Sequence, residues 1–179
     1  PINHATLTLA LGGTVLLFDP VGGAARYQGL AKPTAILVTH AHPDHFNLET
    51  LEALAGPDTP LVVPDVVFQA LSDRLKKQAK TVGNGDTGAV AGVPFEAVPM
   101  YNLTEDRLKY HVKGVGNGYV LTLGDKKVHV AGDTEPVPEL MALSGIDIAF
   151  LPMNLPYTET GEQAAELARA VKPKVVYPY

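Results

Sequence analysis

The sequence predicts an α/β (α+β) fold, and three observations predict it. Two apolar, β-prone runs, Ala5 to Leu11 and Thr14 to Asp19, are joined by Gly12-Gly13, a strong hairpin signal. Short apolar runs such as Ala35 to Thr39 and Ile146 to Leu151 have the length of buried strands. Stretches with apolar residues at helical spacing follow strands in both halves, so each half carries β-strands followed by β/α units.

In order along the chain, the hairpin leads to the strand Ala35 to Thr39. Asn47 then caps a helix in which Leu48, Leu51 and Leu54 share a face, until Gly56-Pro57 ends it. Leu61 to Val63 reads as a short strand, followed by a helix from about Asp65 to Lys80 with Phe68, Leu71 and Leu75 on its buried side. Gly83-Asn84-Gly85-Asp86 breaks that helix. Phe95 to Met100, Gly118 to Leu123 and Lys127 to Ala131 are strands, the last two joined by a tight turn at Gly124-Asp125. A short helix around Pro138 to Leu143 precedes the strand Ile146 to Leu151. Thr160 with Gln163 makes a capping box for the helix Glu162 to Val171, and Lys174 to Tyr177 is a last strand. No internal repeat or low-complexity linker interrupts this order, and residues 1–179 read as one domain.

Apolar residues make up 46% of the 179 and charged residues 18%, which is globular and excludes general disorder. The net charge is −5 and no basic cluster exceeds Lys76-Lys77 or Lys126-Lys127, so nucleic acid is not favoured as a partner. With no cysteine, a thiolate site is excluded, and any metal must be held by His, Asp, Glu and water. No run approaches the roughly 18 apolar residues of a membrane span. The chain starts at Pro1 without an initiator Met, so a trimmed N-terminus is expected. The compartment stays open between the cytoplasm and export after loss of a signal. Oligomeric state is not legible.

Half of the six histidines fall in one heptad, Thr39-His40-Ala41-His42-Pro43-Asp44-His45, directly after an apolar strand. Imidazole and carboxylate are the donors that zinc, iron and manganese accept. In an extended segment side chains alternate, so His40 and His42 point the same way and can share one ion. Pro43 disfavours helix at His42 and forces a turn. Asp44 and His45, just past that turn, can face a second ion beside the first.

With the opening hairpin ending in Asp19-Pro20, the T-H-x-H-x-D-H segment, and Gly132-Asp133-Thr134 after a strand, the chain resembles the metallo-β-lactamase superfamily of metal-dependent hydrolases. It looks closest to the branch of L-ascorbate-6-phosphate lactonase and related zinc-dependent hydrolases, on Asp19-Pro20-Val21, Gly116-Asn117-Gly118-Tyr119 and Asn154-Leu155-Pro156-Tyr157-Thr158. The resemblance implies a four-layer αβ/βα sandwich and two ions, zinc first, with iron or manganese as alternatives. It puts His40 and His42 on the first ion, Asp44 and His45 on the second, and Asp133 between them. A bridging carboxylate offsets the repulsion of two cations roughly 3.5–4 Å apart.

Two ligands of that pattern are missing. Asn102 stands where many relatives have a His, and an amide is a poor zinc ligand; His111, in the adjoining loop, is the candidate replacement. Relatives also place a final His after the last strand, so the natural protein is expected to continue beyond Tyr179 and supply it. His4 and His129 are weaker candidates, His129 as a structural strand residue. Asp19 is a candidate to hold a ligand His in its metal-binding tautomer.

The activity implied is hydrolysis of a small-molecule ester, lactone or phosphodiester by a metal-bound hydroxide, with Asp44 as ligand and orienter of the nucleophile. Asn154 and Tyr157 are candidate substrate contacts. Alternatives are a degenerate or non-catalytic metal-binding module, a metallonuclease lacking the usual basic groove, and a di-iron redox protein with the same donors.

Overall fold

The Gly12-Gly13 turn closes an antiparallel hairpin of β1 (Leu7–Leu11) and β2 (Thr14–Phe18), in register from Leu7 opposite Phe18 to Leu11 opposite Thr14. Both glycines have positive φ, 57° and 88°, the backbone such a two-residue turn demands. The computed structural model describes residues 2–179, so the trimming expected at Pro1 lies outside the described residues. Two compact units emerge: residues up to Val82 with Val90–Gly92, and Gly83–Ala89 with Val93–Tyr179.

In the first unit β3 (Ala35–Leu37), β4 (Leu61–Val63) and β5 (Ala79–Thr81) extend the hairpin in parallel, giving the sheet order β1-β2-β3-β4-β5. β3 and β4 are buried throughout, which is why they read as unbroken apolar runs. Helix α1 (Leu48–Leu54) starts where the Asn47 side chain accepts from the Thr50 amide. Its Leu51 joins Leu17, Ile36, Val63, Val67 and Leu75 in one core.

Two expectations change here. Strand β3 stops at Leu37, so Thr39 to His45 is loop and turn, with the His42 carbonyl accepting from the amides of His45 and Phe46. The single helix expected from Asp65 to Lys80 is instead α2 (Asp65–Ala70), α3 (Asp73–Lys76) and the strand β5. Leu71 is extended (ψ 151°), and Ser72 caps α3 by accepting from the Leu75 amide. Ser72 and Arg74 also hydrogen-bond to Glu52 of α1. Cap, tertiary bonds and the pairing of β5 with β4 outweigh helix propensity, a weak prior.

The second sheet runs β11-β10-β9-β8-β7-β6. Its strands are β6 (Thr87–Val90), which the sequence did not signal, β7 (Val93–Met100), β8 (Gly116–Leu123), β9 (Lys126–Val130), β10 (Ile148–Leu151) and β11 (Val175–Pro178). β7, β8 and β9 form an antiparallel meander, and β9, β10 and β11 are parallel. Helix α4 (Pro138–Met141) and helix α5 (Gly161–Val171), the latter started by the expected Thr160/Gln163 capping box, supply Leu140, Leu167 and Val171 to a core with Val98, Val120 and Ala149. Gly118 is required by packing, because a Cβ there would sit 2.7 Å from the Ala131 carbonyl oxygen. His129 lies opposite Val120 and Ala149 in the ladders, and burial pushes its imidazole down to about 4, so it is a neutral core residue. No helix among the described residues is long and apolar enough to cross a membrane.

Candidate metal centre

The heptad after β3 is organised by a carboxylate 20 residues earlier. Asp19, 1% exposed and with φ 46°, directly follows β2, its amide donates to the Leu37 carbonyl, and its carboxylate meets Thr39. Oδ1 accepts from the Thr39 amide at 2.7 Å; Oδ2 accepts from the Thr39 hydroxyl at 2.7 Å and from His45 Nδ1 at 2.8 Å. Because the Thr39 hydroxyl donates to Asp19, its oxygen accepts from His40 Nδ1 at 2.9 Å. These bonds put the ring hydrogens of His40 and His45 on Nδ1, so that Nε2 carries the lone pair in both, the arrangement a metal-ligating histidine needs.

His40 Nε2 and His42 Nδ1 lie 3.1 Å apart. Two nitrogens bound to one tetrahedral zinc at about 2.0–2.1 Å are separated by roughly 3.3 Å, so the pair fits one ion. The convergence comes from the loop, since both residues lie beyond the strand that alternation presumed. Asp44, on the exposed turn, has Oδ2 3.9 Å from His45 Nε2 and 3.3 Å from Nε2 of His4. The first unit therefore gathers His40, His42, Asp44 and His45, and adds His4, which the sequence ranked low.

The second unit holds the other candidates. Asp133 follows β9 after Gly132, is 2% exposed, and has Oδ2 3.4 Å from His111 Nε2. His111 is fixed from behind, its Nδ1 donating to the Tyr157 carbonyl at 3.1 Å, which again puts the ring lone pair on Nε2, as a metal-ligating histidine needs. Asn102 holds the surrounding loops together. Its Nδ2 donates to the carbonyls of Tyr157 at 2.7 Å and Arg107 at 3.0 Å, and its amide closes the loop on the His111 carbonyl. Tyr157 thus contributes its main chain to the site, while its half-exposed ring meets Tyr110 edge-on at 4.9 Å. Asn154 starts the turn beneath it, its carbonyl accepting from the amides of Tyr157 and Thr158.

Sequence reasoning missed Glu135. Its buried carboxylate accepts from the amides of Leu103 and Thr104, from the Thr104 hydroxyl and from Arg107 Nη1, at 2.6 to 2.8 Å. Burial by itself raises its pKa, but these bonds and that of Gln163 outweigh burial and hold it below the ordinary value. Glu135 thereby clamps the loop that carries His111. The signal available was its place two residues after Asp133, in Gly132-Asp133-Thr134-Glu135.

Glu159 is fully buried, and burial with the nearby Glu135 charge pushes it up to about 8, so it is protonated at neutral pH. A pKa raised from 4.5 means stability that is complete below pH 4.5 and lost as pH rises to about 8, at about 1.4 kcal/mol per pH unit. In urea unfolding of metal-free protein at pH 5, 6, 7 and 8, Glu159→Gln is expected to remove that slope relative to wild type. Parallel pH profiles would refute it.

Comparison with known proteins agrees with this donor chemistry. The family model of the β-lactamase superfamily domain matches residues 2–179. A UPF0173 metal-dependent hydrolase of Enterococcus faecalis is 30% identical, covering 98% of this chain and 82% of the relative. The crystal structure of a protein assigned as a metal-dependent hydrolase from Parabacteroides distasonis superposes with a TM-score of 0.90 at 40% identity, covering 99% of this chain and 79% of that one. The metallo-β-lactamase fold protein YhfI of Bacillus subtilis superposes with a TM-score of 0.75 at 14% identity, covering 99% of this chain and 79% of that one, a likeness of fold. With its two mixed sheets and its histidine and aspartate donors, the chain belongs to the metallo-β-lactamase superfamily, as a metal-dependent hydrolase.

Proposed function

We propose that the chain is a dinuclear, zinc-type hydrolase of a small ester, lactone or phosphodiester. The observation that carries this reading is the 3.1 Å approach of His40 Nε2 and His42 Nδ1, with Thr39 and Asp19 setting the histidine tautomers. In this reading His40 and His42 would hold one ion and Asp44 and His45 the other, and His111 and Asp133, 3.4 Å apart in the second unit, are further candidate ligands. The ions, when bound, lower the pKa of water towards roughly 7 and polarise the substrate oxygen. Asp44, exposed on its turn, orients the nucleophile and accepts its proton. Asn154 and Tyr157 contact the substrate; the exposed Tyr157 ring and the bond from the His111 side chain to its carbonyl support that placement. The −5 charge and the absence of basic runs favour a small molecule over nucleic acid.

Metal analysis and turnover test the proposal together. Protein purified without added metal is expected to carry close to two ions per chain and to hydrolyse a chromogenic ester, lactone or phosphodiester. A chelator should abolish turnover, and zinc should restore it. Fewer than two ions per chain, or turnover indifferent to chelation, would refute the reading.

A further inference from the structure

We infer that His4 is a protein ligand of the second ion, beside Asp44 and His45; this rests on the two-ion reading above. His4 Nε2 is 3.3 Å from Asp44 Oδ2, which is itself 3.9 Å from His45 Nε2. One ligand atom from each of the three residues lies within 4.8 Å of the others. The His4 and His45 rings meet edge-on, centroids 5.4 Å apart at 80°. Two imidazoles and a carboxylate from separate stretches of chain make the donor set of a catalytic zinc.

The backbone around His4 is built to hold it there. Its φ of 43° is left-handed, a conformation histidine adopts at a cost. The turn is closed by the Thr6 amide on the Asn3 carbonyl and the Ile2 amide on the Thr6 carbonyl, both at 2.7 Å. The buried Thr6 hydroxyl then donates to the Asp19 carbonyl at 2.6 Å. Asp19 is also the residue whose carboxylate orients His45, so one residue sets the position of both imidazoles. A surface ion pair with the half-exposed Asp44 would be a small return for that strain.

Zinc titration by calorimetry, with cobalt absorption as the second readout, tests the assignment on wild type, His4→Asn and His4→Gly. Asparagine and glycine both tolerate positive φ, so the turn survives, and His4→Gly should raise the melting temperature of the metal-free protein. Both variants are expected to bind the first equivalent as wild type does. The second should weaken at least about tenfold, with a reduced cobalt band. Two equivalents bound by both variants with unchanged affinity would overturn the role of His4 alone. Fewer than two ions in wild type would overturn the two-ion reading, and this inference with it.

Discussion

His42→Ala is expected to bring hydrolysis down to the uncatalysed background, a loss on the order of a thousandfold or more, because it removes one of the two nitrogens that converge after β3. His42 is half-buried on a loop, and its neighbours are held by other bonds, so the fold should be untouched. Thermal unfolding of the metal-free variant should match wild type, while zinc no longer shifts its midpoint as far. That combination separates loss of a ligand from loss of the fold. Unchanged turnover would remove His42 from the site.

Substitution of Asp19 has the next largest effect, and two variants divide it. Asp19→Ala leaves the buried Thr39 amide and hydroxyl and His45 Nδ1 without their acceptor, a cost of about 3 kcal/mol or more. Asp19→Asn can keep the bond to the Thr39 amide through its carbonyl oxygen. Its NH2 then faces His45 Nδ1, which must accept, so the ring hydrogen moves to Nε2 and blocks the atom that would bind metal. Asn is therefore expected to cost little stability in denaturant unfolding yet to lower zinc affinity roughly 10- to 100-fold. Equal zinc affinity in Asp19→Asn and wild type would show that Asp19 does not govern the tautomer.

The legible parts of the fold are those whose causes are local. The Gly12-Gly13 hairpin, the Asn47 cap and the Thr160/Gln163 box each lie within a few residues of the element they start, and all three are found. The stretch after Asp65 reads wrongly as one helix because its apolar spacing fits a helix as well as it fits α2, α3 and an edge strand. What separates them is Glu52, about 20 residues away, and the pairing of β5 with β4. The site divides in the same way. His40, His42, Asp44 and His45 stand out because one turn concentrates them. Glu135 and the Tyr157 carbonyl do not, because a carboxylate that clamps a loop and a backbone oxygen that orients a ring leave no pattern in sequence.

The sequence alone thus determined the class of chemistry, since donor types are a property of composition: no thiol, three histidines and a carboxylate in seven residues, and Asp133 after a strand. Tertiary structure decided which ring nitrogen of His45 and of His111 carries the proton. A ring nitrogen's role is set by what its other nitrogen touches, and those partners, Asp19 for His45 and the Tyr157 carbonyl for His111, are 26 and 46 residues away along the chain.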